Sequence, residues 1–207
     1  MALHDISPRL HPGLAVWPGD TPLRRRVLQD MESGDGLTLS ALEATVHLGA
    51  HADAPSHTSA KGGSIETRPL EPYLGHCQVM HVDCSPSSRI RIEDLGGTVQ
   101  SRRLLLATGT FPDPNGFNED FAAPDPSLID HLAEAGVILL GVDTPSVDLF
   151  HSKDLPSHAR LLEHDMAILE GLVLRNIPNG FYEVIALPLA LAGFDASPVR
   201  AILRDLP

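Results

Sequence analysis

The stretch PSLIDHLAEAGVILLGV, Pro126 to Val142, decides the fold class. Ser127 stands where a helix N-cap is expected, Leu128, Ile129 and Leu132 recur at helical spacing, and Gly136 supplies the stop. Val137 to Val142 then reads as a buried strand, being apolar and rich in β-branched residues. A helix that feeds a buried strand, in a chain with many other strand signals, indicates a mixed α/β domain.

Outward from that unit, Leu37 to Val46, Cys77 to Val82, Arg103 to Thr108 and Gly180 to Pro188 also read as strands. Asp195 to Leu206 suits a short closing helix and a terminal strand equally. Phe111 to Pro126 carries four prolines and several acidic residues, so it reads as a long surface loop suited to a lid or a dimer contact. The 18 prolines and 17 glycines punctuate the whole chain instead of gathering in a linker. With no internal repeat and no shift in composition, residues 1–207 are expected to form one strand-rich α/β domain, large enough for a substantial core.

Composition excludes several function classes. A net charge of −12 argues against a general nucleic-acid binder, which needs a basic face to displace counterions. The only basic run, Arg24 to Arg26, reads as a solvated strand or loop. No stretch reaches the roughly 20 apolar residues of a membrane helix, and the N-terminus lacks a signal peptide's charged start and apolar core, so a cytoplasmic location without a membrane partner is expected. Cys77 and Cys84 form neither a C-x-x-C pair nor a dense framework and are expected as reduced thiols.

Histidine is the unusual residue, with eleven in the chain. In HLGAHADAPSH, His47 to His57, the residues His47, Gly49, His51 and Asp53 fall at every second position, so an extended chain would turn them to one face. A metalloprotease helix is excluded, because Leu48 stands where H-E-x-x-H needs glutamate and Gly49 and Pro55 disfavour a helix. On a straight strand His47 and His51 would lie roughly 13 Å apart. The chain must therefore bend, and Gly49 is the residue able to do it at low steric cost. Imidazole and carboxylate suit zinc, manganese and similar ions, and three such groups suffice for one catalytic metal. A second group, His158, Glu163, His164, Asp165 and Glu170, lies in Ser157 to Leu174, whose apolar pattern is consistent with a helix packing one side inward. Glu163 and Asp165 taken alone read as a solvated face.

These segments resemble a known family. HLGAHADAPSH, with WPGDTP at Trp17 to Pro22, GVDTPSVD at Gly141 to Asp148 and HDMAILEGLVL at His164 to Leu174, is similar to the metal-dependent cyclase family, most closely its bacterial kynurenine formamidase branch. Ala50, where the family often has threonine, fits that branch better than its relatives. The resemblance implies a swivelling β/β/α-type architecture and a homodimer. It implies a binuclear zinc site, with His47, His51 and Asp53 on one ion, Asp53, His158 and Glu170 on the other, and Asp53 and Glu170 bridging. It also implies His57 as the proton donor or acceptor and Trp17 against the aromatic ring of the substrate, N-formyl-L-kynurenine, hydrolysed to L-kynurenine and formate. A relative acting on isatin or another cyclic amide with manganese would use nearly the same ligands. A noncatalytic metal-binding protein is the remaining alternative, disfavoured because structural zinc sites are normally closed and rich in cysteine. The G-x-S-x-G elbow of serine hydrolases is missing, which disfavours a serine mechanism.

Overall fold

Short apolar runs cut by proline and glycine fold as many short strands and two helices; the computed structural model describes residues 1–207. In chain order these are β1 (Leu3–Asp5), β2 (Arg24–Gln29), β3 (Leu39–Glu43), β4 (His51–Asp53), β5 (Leu74–His81), β6 (Arg89–Ile90), β7 (Arg103–Ala107) and β8 (Ala123–Pro124). There follow α1 (Pro126–Glu134), β9 (Leu139–Val142), α2 (Pro156–Glu163), β10 (Ala167–Glu170), β11 (Gly180–Ile185), β12 (Ala196–Pro198) and β13 (Ile202–Asp205). Nine strands form one sheet in the order β1-β13-β11-β5-β7-β9-β10-β4-β12. Its centre, β5-β7-β9-β10, is parallel, and the flanking pairs are antiparallel. Helices α1 and α2 supply the crossovers before and after β9, as parallel neighbours require.

Alternation along the central strands divides the core in two. Leu104 and Leu106 of β7 face Leu128, Ile129, Leu132 and Leu161 of the helices, while Leu105 and Ala107 face the other way. That second face meets Ala52 of β4, Leu169 of β10, Val184 of β11 and Leu203 of β13 in one cluster. Strands from both ends of the sheet thus share one interior, so the sheet is curled and the helices cover its outside. This is a single mixed α/β domain, strand-rich as the sequence indicates.

Several expectations need correction. Leu37 to Val46 is not a core strand: only Leu39–Glu43 is extended, pairing with β2 in a separate exposed hairpin. Arg24 to Arg26 lie on β2 in solvent, as expected of a charged run. The N-cap of α1 is Asp125 and not Ser127, whose backbone N–H donates to the Asp125 carboxylate. The C-terminal segment forms strands β12 and β13.

The largest departure lies at Ser157 to Leu174. Helix α2 stops at Glu163, Asp165 takes a left-handed φ of 51°, and β10 follows. Ala167 and Leu169 join the sheet interior while Met166 and Ile168 meet the helices, so the run has period two where helical spacing was read. A short apolar run satisfies both templates, and the empty place beside β9 decides between them. The loop from Phe111 is not wholly superficial either, since Phe121 and Ala122 are buried.

Candidate metal centre

His47 and His51 come together through one backbone bend. Gly49 has φ 61°, a left-handed value that glycine adopts at no steric cost, and the two imidazole centroids lie 5.0 Å apart. Pro8, Leu10 and Leu14 close over Gly49, leaving no room for a Cβ. The Gly49 carbonyl accepts a 2.8 Å hydrogen bond from His51 Nδ1, which turns His51 Nε2 inward. Beyond the bend, β4 carries Asp53 into the same space, and Pro55 opens the 3-10 turn Pro55–His57 that presents His57. The period-two reading of this segment therefore holds only from His51 to Asp53.

The second half of the cluster comes from α2 and β10. Asp148, fully buried, accepts from the backbone N–H groups of Ser157 and His158, from Arg89 Nη1 at 2.9 Å and from His158 Nδ1 at 2.9 Å. The N-terminus of α2 is thereby anchored on a carboxylate, and His158 Nε2 is left pointing at the cluster. Glu170 ends β10 opposite His51, where its Oε1 accepts from the Val147 N–H at 2.8 Å. Gly171 follows with φ 67°, and its backbone passes so close to Gly49 that a Cβ would sit 2.2 Å from the Gly49 carbonyl oxygen.

The five expected ligand residues therefore converge. Asp53 Oδ1 lies 3.1 Å from His47 Nδ1 and 3.5 Å from His51 Nε2, while its Oδ2 lies 3.5 Å from His158 Nε2. Glu170 likewise turns Oε2 to His51 Nε2 at 3.2 Å and Oε1 to His158 Nε2 at 3.5 Å. Each carboxylate offers one oxygen to each side. Neither Asp53 oxygen nor His51 Nε2 makes an aligned hydrogen bond, although all three are buried. With Nδ1 of His51 set against the Gly49 carbonyl and Nδ1 of His158 against Asp148, both Nε2 atoms face carboxylate oxygens. Buried acceptors in this arrangement are costly unless a cation sits among them.

The electrostatics agree. At His158, burial opposes charging, but the hydrogen bond to Asp148 and the nearby Asp53 and Glu170 carboxylates raise the pKa to about 10. At His47, burial again opposes, and Asp53, then Asp195 and Glu170, raise the value to about 9. Burial would raise Asp53, yet His158, His47 and His51 hold it well below the usual carboxylate range. The pocket draws positive charge from protons, and neutral imidazoles with ionised carboxylates are the donor set of zinc and similar ions. The residues thus fit a metal.

His57 stands beside the cluster with its side chain 31% exposed, 4.2 Å from the His47 ring centroid and 5.7 Å from that of His158. Donor atoms of Asp53, His57 and His158 lie within 4.8 Å of one another, so His57 is close enough to reach what the cluster holds. Asp195 lies between His47 Nε2 at 2.9 Å and His57 Nδ1 at 3.4 Å. Sequence reading missed Asp195, which is remote from every motif, and gave Asp148 no role although it ends one of them. The other candidates in the second segment turn elsewhere: Glu163 to Arg160, His164 to Asp130 and Asp165 to Arg68.

The cluster forms the floor of a cavity of about 760 Å³. Trp17, Phe111 and Phe117 line one wall, with Trp17 half-buried and its ring 5.5 Å from Phe117 and 5.0 Å from Phe150. The loop beginning at Phe111 thus contributes to the pocket, anchored by the buried Phe121.

Solved structures share this fold. One described as a potential metal-dependent hydrolase with cyclase activity is 26% identical, covers 98% of this chain and 96% of its own, and has a TM-score of 0.85. A predicted metal-dependent hydrolase from Bacillus stearothermophilus is 25% identical, with coverage of 98% and 97% and a TM-score of 0.81. Isatin hydrolase A from Labrenzia aggregata matches the fold at 22% identity, with coverage of 98% and 93% and a TM-score of 0.81. A family model described as "Putative cyclase" matches residues 4–149, which include the bend at Gly49, the Asp53 strand and Asp148. The chain belongs to this metal-dependent cyclase family.

Proposed function

We propose that the chain hydrolyses an aryl formamide, N-formyl-L-kynurenine, to L-kynurenine and formate, with a pair of zinc ions held by His47, His51 and Asp53 and by Asp53, His158 and Glu170. The observation that carries this reading is the pair of inward Nε2 atoms set against two carboxylates, beneath a cavity with an aromatic wall. The family membership and the relatives described as metal-dependent hydrolases support the hydrolytic class. Zinc in such a site supplies Lewis acidity, polarising a carbonyl and rendering water acidic enough to attack near neutral pH.

The chain's own groups supply the rest. Trp17 and Phe117 offer ring faces and edges to the aniline ring and orient the formyl group toward the floor. His57 delivers a proton to the departing aniline nitrogen, which is a poor leaving group without it. Asp195 holds His57 by Nδ1, leaving Nε2 free for that transfer. Bond breaking yields the free amine and formate, with water providing the hydroxyl.

Hydrolysis of a cyclic amide such as isatin is the second reading, and it is favoured by the isatin hydrolases among the structures of the same fold. The test is to follow kynurenine release by the purified protein, then again after chelation and after zinc return, with isatin assayed in parallel. Turnover of the formamide that disappears with chelation and returns with zinc is expected. Faster turnover of isatin would transfer the assignment to the cyclic amide.

A further inference from the structure

The cavity wall carries four carboxylates, and each is already engaged. Asp20 accepts from Thr45 Oγ1, Asp143 from Thr108 and Gly109, Glu170 from Val147, and Asp195 lies against two imidazoles. A single Lys or Arg lines the same space, Arg175. Its Nη1 donates to the Pro112 carbonyl at 3.3 Å, and it has no acidic partner. Four of the five N–H donors of its guanidinium are therefore uncommitted.

The position of Arg175 is set by the chain that leaves the metal cluster. After Glu170, the N–H groups of Gly171, Leu172 and Val173 donate to Thr144, Val142 and Ile6, which fixes the segment along the cavity wall. Arg175 thus lines the cavity five residues beyond Glu170, with its backbone carried out to the solvent-exposed side and its guanidinium beside Pro112 of the loop that begins at Phe111. The cavity lining thus holds four engaged carboxylates and one guanidinium without an acidic partner.

From this arrangement we infer that Arg175 binds a carboxylate carried by the substrate, so that the cavity selects aryl amides with a carboxylate-bearing tail. The inference rests on the proposed amide hydrolysis and extends it to specificity. In a protein of net charge −12, and in a cavity lined by four carboxylates, the carboxylate of a substrate's amino-acid end needs a local cation to settle beside. A guanidinium donates two parallel N–H bonds to a carboxylate, which sets orientation as well as affinity. The amide is thereby directed toward His57 and the carboxylate toward Arg175.

The experiment compares the wild-type chain with Arg175→Gln and Arg175→Lys, each loaded with zinc. Kinetics are measured on N-formylkynurenine and on uncharged formanilide. The ratio of kcat/KM for the charged over the neutral substrate is expected to fall about 5- to 20-fold in Arg175→Gln, through KM, and to recover in part in Arg175→Lys. An unchanged ratio overturns the inference. Should neither amide be hydrolysed, the proposed reaction fails, and calorimetric titration with L-kynurenine and its methyl ester still decides the role of Arg175. Wild-type preference for the free carboxylate, lost in Arg175→Gln, sustains it; equal binding of acid and ester by the wild type overturns it.

Discussion

Replacing Gly171 by alanine tests the backbone crossing that holds the two halves of the metal centre together. The new Cβ would lie 2.2 Å from the Gly49 carbonyl oxygen and 2.8 Å from its carbon, both main-chain atoms that cannot rotate away. The φ of 67° adds a left-handed conformation costing an L-residue about 1–2 kcal/mol. Relieving the overlap requires a backbone shift, for which overpacking costs of about 1–3 kcal/mol apply. Together these give a loss of about 2–5 kcal/mol, or a Tm lower by roughly 4–20 °C in a domain of this size. The Gly49 carbonyl also accepts from His51 Nδ1, so its displacement should turn Nε2 and weaken zinc binding about 10- to 100-fold. Circular dichroism melts of metal-free and zinc-loaded protein, with a competitive zinc titration, give both quantities. Gly136→Ala serves as the control: its φ is 82° but nothing lies within 4 Å, so only the conformational cost applies and zinc affinity is retained. If Gly171→Ala melts and binds zinc like that control, the close approach of Gly171 to Gly49 is refuted.

Two further predictions follow from buried groups. Asp148→Asn keeps the shape but removes the negative charge and turns one of two accepting oxygens into an NH2 donor, so the hold on His158 Nδ1 weakens and divalent cation affinity should fall about 10- to 100-fold; parental affinity by calorimetry would show that Asp148 anchors α2 without orienting the imidazole. Burial pushes the Cys77 thiol up to about 12, whereas the unfolded thiol titrates near 9.0. Its contribution to stability is full below the unfolded value and is lost as pH rises toward 12, because the unfolded chain releases the proton first. Urea midpoints between pH 8 and 10.5 should therefore fall more steeply in the wild type than in Cys77→Val, by up to about 1.4 kcal/mol per pH unit, and parallel slopes would remove Cys77 from the alkaline transition.

Sequence alone determined the class of the fold and the first group of candidate ligands, His47, His51 and Asp53, because both rest on local patterns. The helix-to-strand unit at Pro126 to Val142 announces itself through cap, period and stop, all within seventeen residues of one another. The bend at Gly49 is equally legible, since two histidines four apart on an extended chain cannot meet without one. Tertiary structure decided what depends on neighbours remote in sequence. Ala167 to Glu170 became a strand because β9 offered an unfilled edge, against a pattern that also suits a helix. Asp195 reached His47 and His57 across more than a hundred residues, and the Gly171 backbone found Gly49 only because β10 and β4 pair. Periodicity reports which side of a segment is apolar, but not what stands opposite it; that is settled only when the sheet curls and its two ends meet.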